Sequence, residues 1–243
     1  MSEVYIRFHG ELNDFLAPQR RHGAFATRFR SRTTVKDMIE SLGVPHTEVA
    51  LATTDNRPLD LSAIVHEHDR IDVYPHEIRP RPGGVPHFIL DTHLGKLARY
   101  LRLLGFDTLY NNRSTDAELA AVSAWQQRIL LTRDKGLLKR REVNWGCYVR
   151  AIQPEAQVVE ILQRFAIVTL ARPFERCIDC NGELCPASLE QVAHRIPKGV
   201  VRDFDEFSTC ANCKRVYWRG SHYDRLRSIV ARLLSESGGA CPS

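Results

Sequence analysis

Apolar and polar positions follow three different patterns along the chain, and the first covers residues 3 to 77. The segments VYIRF and AFATRF alternate as half-buried strands do, and TTVKDMIESLG predicts a short amphipathic helix with a threonine N-cap. EVALATTD and RIDVYP predict two later strands on either side of an Asn-Arg-Pro turn. Two strands, one helix and two or three further strands form the pattern of a β-grasp fold.

The second pattern alternates short apolar runs with helical periodicity. HFIL, FDTLY, RILLT and CYVRAI predict strands, and the segments between and after them predict helices over 93–104, 116–127, 135–141 and PEAQVVEILQRF. Leu94, Leu97, Leu101 and Leu104 fall on one face of the first of these helices. Repeating βα units of this length predict an α/β fold with a parallel sheet and helices on both faces.

The third pattern begins near Pro173 and contains four paired cysteines. It continues through KRVYWRGSHYDRLRSIVARLL, which predicts one strand and a closing helix. The stretch PHEIRPRPGGVP, with four prolines and two glycines, predicts a linker between the first two patterns. The predicted domains are a β-grasp domain at 1–79, a linker at 80–86, an α/β domain at 87–172, a cysteine-containing domain with its closing helix at 173–234, and a tail at 235–243.

The four paired cysteines have the spacing of a metal site. Cys177 and Cys180 form one C-x-x-C pair, Cys210 and Cys213 form a second, and two tight turns of this kind can present four thiolates to one tetrahedral ion. We expect a structural Zn²⁺ here, because such a closed site leaves no position for chemistry. Two further cysteines lie outside these pairs: Cys185 is a spare, and Cys147 is predicted to be a small core residue.

Three aspartates stand where predicted strands give way to helices. Asp91 follows FIL, Asp134 follows ILLT after one arginine, and Asp116 opens the helix after FDTLY. Parallel strands deliver their carboxyl ends to one sheet edge, so the three carboxylates are expected to meet there and to need a divalent cation. Mg²⁺ or Mn²⁺ held by them could activate water against a phosphodiester. Taken singly, each aspartate could also be a helix cap.

Positive charge is concentrated in the middle of the chain, which favours an anionic partner. Residues 83–172 carry 13 Lys/Arg against 8 Asp/Glu, whereas the flanking segments are close to neutral. Lys96, Arg99 and Arg102 recur every third residue, and Arg133 and Lys135 begin a second basic run. These side chains, together with Trp218, Arg219 and His222 near the last cysteine pair, are candidate RNA contacts. A solvated helix face and aromatic packing are the alternatives.

The motifs together resemble a known family. DTHLGKLARYLRLLGFD, STDAEL, RILLTRDKGLL, RCIDCNGEL and CANCKRVYWRGSH are similar to the Mut-seven C-terminal RNase family, a PIN-like group of nucleases with an appended zinc ribbon. The resemblance implies that Asp91, Asp116 and Asp134 belong to the metal-binding acidic set. Many PIN nucleases have a fourth acid, and Glu142 is the nearby candidate.

Residues 3 to 77 resemble the ubiquitin-like sulfur carriers, through the TTVKDMIESLG helix and the late EHDRIDVYP segment. Those carriers end in Gly-Gly, and Gly83-Gly84 stands at the corresponding place. Because 159 residues follow this pair, it has no free carboxylate unless the chain is cut. The interpretation as a linker is favoured, and a cleaved sulfur carrier is the alternative.

These observations predict a ribonuclease of the cytoplasm. We expect a hydrolase that uses Mg²⁺ or Mn²⁺ to cleave structured RNA, with transfer RNA and ribosome-associated RNA as candidate partners and a protein partner for the ubiquitin-like domain. Neither a signal peptide nor an apolar run of membrane-spanning length is present, so membrane association is not expected. The competing interpretation is a non-catalytic RNA- or ribosome-binding module with a structural zinc ribbon.

Overall fold

The computed structural model describes residues 2–79 and 81–238. Its strands are β1 (Ser2–Phe8), β2 (Phe25–Phe29), β3 (Val49–Thr54), β4 (Arg57–Leu59), β5 (Arg70–Pro75), β6 (Phe88–Leu90), β7 (Thr108–Tyr110), β8 (Ile129–Thr132), β9 (Gly146–Tyr148), β10 (Leu184–Ala187), β11 (Phe207–Cys210) and β12 (Val216–Trp218). Its helices are α1 (Val35–Ser41), α2 (Gly95–Leu103), α3 (Asp116–Trp125), α4 (Lys135–Leu138), α5 (Pro154–Arg164), α6 (Leu189–Val192), α7 (Lys198–Asp203) and α8 (Ser221–Glu236). The predicted tail at 235–243 lies largely outside the described residues.

The chain forms two compact units, each made from two stretches of sequence. One contains residues 1–80 and 116–148, and the other contains residues 81–115 and 149–243.

The predicted β-grasp, or ubiquitin-like, fold is confirmed in the first unit. Its five-stranded sheet has the order β2-β1-β5-β3-β4, with β1 parallel to β5 and the other neighbours antiparallel. Helix α1 starts where predicted, because Thr34 Oγ1 accepts the Asp37 N–H at 3.0 Å and caps the first turn. Alternating residues of β1 and β5 supply the buried core, including Ile6, Phe8 and Val73.

The same unit contains the β8–β9 part of the second sequence pattern. Strands β8 and β9 are parallel, as the βα pattern predicts. Helix α3 reverses into β8 through a tight turn, in which the Arg128 N–H donates to Ser123 O at 3.0 Å and Ser123 Oγ donates to Arg128 O at 2.7 Å. Helix and strand therefore run antiparallel.

The second unit combines a parallel strand pair with a cysteine-containing sheet. Strands β6 and β7 are parallel, and the four leucines predicted on one face of α2 are all buried. Phe88 packs edge to face against Phe106 and Phe165. Gly105 has φ +89°, and a Cβ there would lie 2.1 Å from Arg172 O, so the turn after α2 requires glycine. Strand β10, helices α6 and α7 and strand β11 form over residues 184–210.

Strands β10, β11 and β12 form an antiparallel three-stranded sheet that joins the two cysteine pairs. The predicted strand and closing helix of this region correspond to β12 and α8. Among the described residues, no helix combines the length and the apolar character needed to cross a membrane.

Candidate functional site

The four paired cysteines come together in the second unit. The ligand atoms of Cys177, Cys180, Cys210 and Cys213 all lie within 4.8 Å of one another. Within the described parts of the chain, they are the one group of three or more His, Cys, Asp or Glu side chains that meets this geometry. Cys147 is fully buried and Cys185 is exposed, both outside the cluster, as the sequence predicted.

Each cysteine pair sits in a tight turn with the same backbone pattern. In the first, the Asn181 N–H donates to Cys177 O at 2.9 Å, and in the second, the Lys214 N–H donates to Cys210 O at 3.1 Å. Asn181 and Lys214 occupy the same place relative to their pairs, and both have positive φ, 71° and 61°. This repeated turn is the reason that the C-x-x-C spacing points two sulfur atoms to the same side.

The sulfur atoms are spaced as a tetrahedral metal site requires. Cys177 Sγ lies 3.7 Å from Cys213 Sγ, and Cys180 Sγ lies 3.3 Å from Cys210 Sγ. Four ligands at a Zn–S distance of ~2.3 Å would be ~3.8 Å apart, so the donor set fits Zn²⁺ after a small expansion. A backbone hydrogen bond with Arg215 lowers the pKa of Cys213, but burial and the other three sulfur atoms outweigh it and raise the pKa to about 12. The cluster can therefore bind a metal such as zinc, whose charge would favour the thiolates.

Side chains outside the cluster contact it, and no local sequence pattern predicts most of these contacts. Tyr217 Oη lies 3.0 Å from Cys177 Sγ, and burial followed by this hydrogen bond raises the pKa of Tyr217. Asp179, between the first two cysteines, accepts from Arg99 at 2.8 Å and also pairs with Arg215. Their spacing in sequence, 80 and 36 residues from Asp179, is too long for a local pattern to reveal.

Arg102 corrects one prediction. Only 4% of it is exposed, and its guanidinium donates from Nε to Thr108 O at 2.9 Å and from Nη1 to Ile178 O and Asp179 O at 3.3 and 2.8 Å. It therefore holds the first cysteine turn against β7 and is buried, whereas the sequence analysis predicted a surface position for RNA contact. On a helix with 3.6 residues per turn, each step of three residues turns by about 60°, so Lys96 and Arg102 lie on opposite borders of the leucine face. β7 and the first cysteine turn cover the Arg102 border.

Three of the predicted RNA contacts share one groove in the second unit. Lys96 and Arg99 of α2 and His222 of α8 line it, together with Tyr100, Ile178 and Leu226. The Arg99 side chain is 56% exposed despite its ion pair with Asp179. Residues that are more than 120 positions apart in sequence thus offer positive and hydrogen-bonding groups to one surface.

Trp218 and Arg219 line a different cavity of about 450 Å³, with Phe174, Glu206 and Tyr223. Arg219 forms an ion pair with Glu206 at 3.0 Å, and its guanidinium lies 5.8 Å from the centre of the Tyr223 ring. In the other unit, Lys135 Nζ lies 5.0 Å from the centre of the Phe15 ring, and Arg133 is exposed. The expectation of RNA contact at these four positions stays a prediction.

Each of the three aspartates lies at the start of a helical turn. Asp91 Oδ1 accepts the Thr92 N–H at 2.5 Å, and Asp134 Oδ1 accepts the Gly136 N–H at 2.6 Å and the Leu137 N–H at 3.3 Å. Both act as N-caps, one of the two roles that the sequence left open. Asp116 is the first residue of α3 and is exposed.

Two of these aspartates lie at the same end of one helix–strand pair. Helix α3 and strand β8 pack together and run antiparallel on either side of the turn that joins them. The helix is about 15 Å long and the strand about 13 Å long, so the start of α3 and the end of β8 are at similar distances from this turn. Asp116 at the far end of α3 and Asp134 just after β8 are therefore on the same side of this unit. Asp91 belongs to the other unit, so a common site for all three stays a prediction. Glu142 is exposed and lies 3.7 Å from Arg140.

Comparison with known proteins gives two matches to sequence families. The Mut7-C RNAse domain matches residues 86–230, and the Mut7-C ubiquitin domain matches residues 1–80. The solved structure of H. volcanii small archaeal modifier protein 1 is 11% identical, with a TM-score of 0.25, over 31% of this chain and 98% of that chain. A structure of SAMP1 from Haloferax volcanii is 13% identical, with a TM-score of 0.25, over 34% of this chain and 100% of that chain. No curated protein matches the chain.

Proposed function

Because the chain belongs to the Mut7-C RNAse domain family, we propose that it is a ribonuclease whose phosphodiester hydrolysis depends on a divalent metal ion. The proposed substrate is structured RNA, with transfer RNA as the first candidate, and the proposed place of action is the cytoplasm. Mg²⁺ or Mn²⁺ would be held by Asp91, Asp116 and Asp134, and Zn²⁺ by the four clustered cysteines. The predicted domain boundaries are retained as part of this proposal.

One observation carries the assignment of the three carboxylates. Asp91 and Asp134 occupy equivalent positions, since each follows a parallel strand and caps the helical turn after it. Asp116 lies at the same end of its unit as Asp134. Strand–carboxylate–helix connections of this kind support a shared cation, because the carboxyl ends of parallel strands are where α/β folds bind ligands.

The division of labour among the side chains follows from their chemistry. The bound cation would supply an activated water molecule and charge stabilisation for the phosphodiester under attack. The carboxylates would hold that cation with oxygen ligands, which Mg²⁺ and Mn²⁺ prefer. Lys96, Arg99 and His222 would bind the RNA backbone in their groove, so that affinity falls steeply with salt concentration. The cysteine cluster would keep α2 and the first cysteine turn in register through Arg102.

The test separates metal binding from helix capping. Asn caps helices about as well as Asp, so Asp91→Asn and Asp134→Asn should keep the fold while weakening the cation site. We expect cleavage of total RNA with Mn²⁺ to fall by about 100-fold or more in each variant, with zinc content unchanged. Asp224→Asn, in the first turn of α8, is the matched control and should retain full activity. Full turnover by both site variants would refute the assignment.

The shared groove of Lys96, Arg99 and His222 favours a second candidate, a non-catalytic module that binds RNA or the ribosome. This candidate predicts that metal-free protein retains RNA and still fails to cleave it after Mn²⁺ is restored. End mapping of the recovered RNA distinguishes the two functions, since new ends appear only if the chain is a nuclease.

A further inference from the structure

Strand β9 has one edge that no other strand covers within the described residues. It pairs with β8 in parallel register, with Leu130 opposite Gly146 and Thr132 opposite Tyr148. The Leu130 N–H donates to Trp145 O at 3.0 Å, so the polar groups of Gly146 and Tyr148 point away from β8. An open edge with these groups is a template for pairing with another chain.

An ion pair from the ubiquitin-like segment covers this edge. Arg79 Nη1 donates to Gly146 O at 3.1 Å, and Glu48 Oε1 accepts the Tyr148 N–H at 2.8 Å. Arg79 and Glu48 are also joined directly through Nη2 and Oε2. In a parallel sheet, a single residue of a neighbouring strand would donate its N–H to Gly146 O and accept the Tyr148 N–H with its C=O. Arg79 supplies the same donor here, and Glu48 supplies the same acceptor.

The ion pair is buried, so its side chains are available only to groups inside the protein such as the edge of β9. Glu48 is 0% exposed and Arg79 is 4% exposed. Arg79 donates a further hydrogen bond to Thr47 O at 3.0 Å, so its charge is held by several acceptors. Burying two charges is unfavourable unless they are paired and hydrogen-bonded, and β9 contributes one hydrogen bond to each side chain. Without β9, the ubiquitin-like segment would still carry this ion pair, but Arg79 Nη1 would lose its acceptor on Gly146 and Glu48 Oε1 would lose its donor on Tyr148.

Contacts on either side of the ion pair extend the same surface. Lys139 Nζ donates to Glu40 O at 2.7 Å, and His46 Nε2 lies 3.0 Å from Val143 O. The rings of Phe15 and Tyr148 meet edge to face, with their centres 5.2 Å apart. The contact thus has an apolar part, a charged part and several hydrogen bonds, all within one compact unit.

We propose that the ubiquitin-like segment is a permanent cover for the open edge of β9, with the Glu48–Arg79 pair acting in place of a neighbouring strand. This is a role in which the segment stays with its own chain, in contrast to a carrier that is released after Gly84. It is independent of the proposed RNase activity, and its tests need no substrate.

The first test removes both charges from the full-length chain. In the Glu48→Met/Arg79→Met double variant, no buried charge is left unpaired, so the fold should persist while the β9 edge loses its partners. We expect hydrogen exchange at the Tyr148 amide to accelerate about 10- to 100-fold and the protein to self-associate in sedimentation. Arg81→Met is the matched control, because Arg81 Nη1 donates to Phe165 O at 2.7 Å, away from β9. Unchanged Tyr148 exchange in the double variant would overturn the proposal.

The second test decides the question if the double variant does not fold. A protease site is inserted between Gly83 and Gly84 of the otherwise native chain, and the purified protein is cut. Under the proposal, the N-terminal fragment, which contains the ubiquitin-like segment, co-elutes with the remainder at micromolar concentration. Separation of the two fragments would refute it and support the carrier interpretation.

Discussion

The edges of β7 and β9, one in each compact unit, are both covered by side chains, but different interactions hold the two sets of side chains in place. On β7, the Thr108 N–H donates to Asn181 Oδ1 at 2.9 Å and Thr108 O accepts from Arg102 Nε at 2.9 Å. On β9, the same tasks fall to Glu48 and Arg79. Asn181 and Arg102 are tied to the first cysteine turn, so the β7 cover depends on the metal cluster, whereas the β9 cover depends on a buried pair of charges.

The largest effect is expected from removing the metal. Cys177→Ser should abolish zinc binding and lower the free energy of unfolding by more than about 5 kcal/mol, since structural zinc contributes on the order of 10 kcal/mol to folding. Exchange at the Thr108 amide should rise, while exchange at Tyr148 should stay slow. Zinc analysis and amide exchange measure both outcomes.

Cys185→Ser provides the control for the loss of a thiol, because Cys185 is exposed and lies outside the cluster. It should keep full zinc content and native exchange at Thr108. Equal acceleration at Thr108 and Tyr148 in Cys177→Ser would show that the two covers are not independent.

A smaller effect is expected from cutting the link between the cluster and β7. Arg102→Met leaves the carbonyls of Thr108 and Asp179 without their donor, which should cost about 2 to 4 kcal/mol in the free energy of unfolding. Arg99→Met, one helical turn earlier, removes an exposed ion pair with Asp179 and should cost less than about 1 kcal/mol. Denaturant unfolding of both variants measures the difference, and equal losses would contradict the buried role of Arg102.

The smallest effect is a pH dependence that arises at His76, near the Glu48–Arg79 pair. Burial first, and then the charge of Arg79, lower the pKa of His76 from 6.5 to about 4. The unfolded chain therefore binds a proton that the folded chain does not, so stability is complete above pH 6.5 and falls as the pH is lowered toward 4. After discounting for partial exposure, this loss should be about 1 to 2 kcal/mol.

Unfolding of His76→Gln between pH 7 and pH 4 checks this prediction, since the variant should lose less stability over that range than the native chain. His66→Gln is the control, because the His66 side chain is 77% exposed. Identical pH profiles for the native chain and His76→Gln would exclude His76 as the source.

Local patterns were enough to predict the features that depend on near neighbours in sequence. The C-x-x-C pairs, the buried leucines of α2 and the N-cap of α1 each involve residues a few positions apart, and each was confirmed. Arg102 was misplaced because a spacing of three residues was read as a single helix face. Successive steps of three residues turn by about 60°, which places Arg102 at one border of the leucine face, and β7 and the first cysteine turn cover that border.

Features that join distant segments left no trace that sequence alone could reveal. Glu48 and Arg79 are unremarkable in sequence, and their shared role depends on a strand about 70 residues further on. The common site for Asp91, Asp116 and Asp134 is a long-range prediction of the same kind. It was reached from the general geometry of parallel strands and from the family resemblance, and not from any local spacing.

The buried Glu48–Arg79 pair has a consequence for the order of events during synthesis. Tyr148 follows Arg79 by 69 residues, and ribosomes add about 5 to 20 residues per second, so the ubiquitin-like segment emerges some seconds before its strand. During that interval, Glu48 and Arg79 have been synthesised, but the strand β9 to which they hydrogen-bond has not. Its final packing must wait until β9 has been translated, so this segment is completed only by a strand that is synthesised after it.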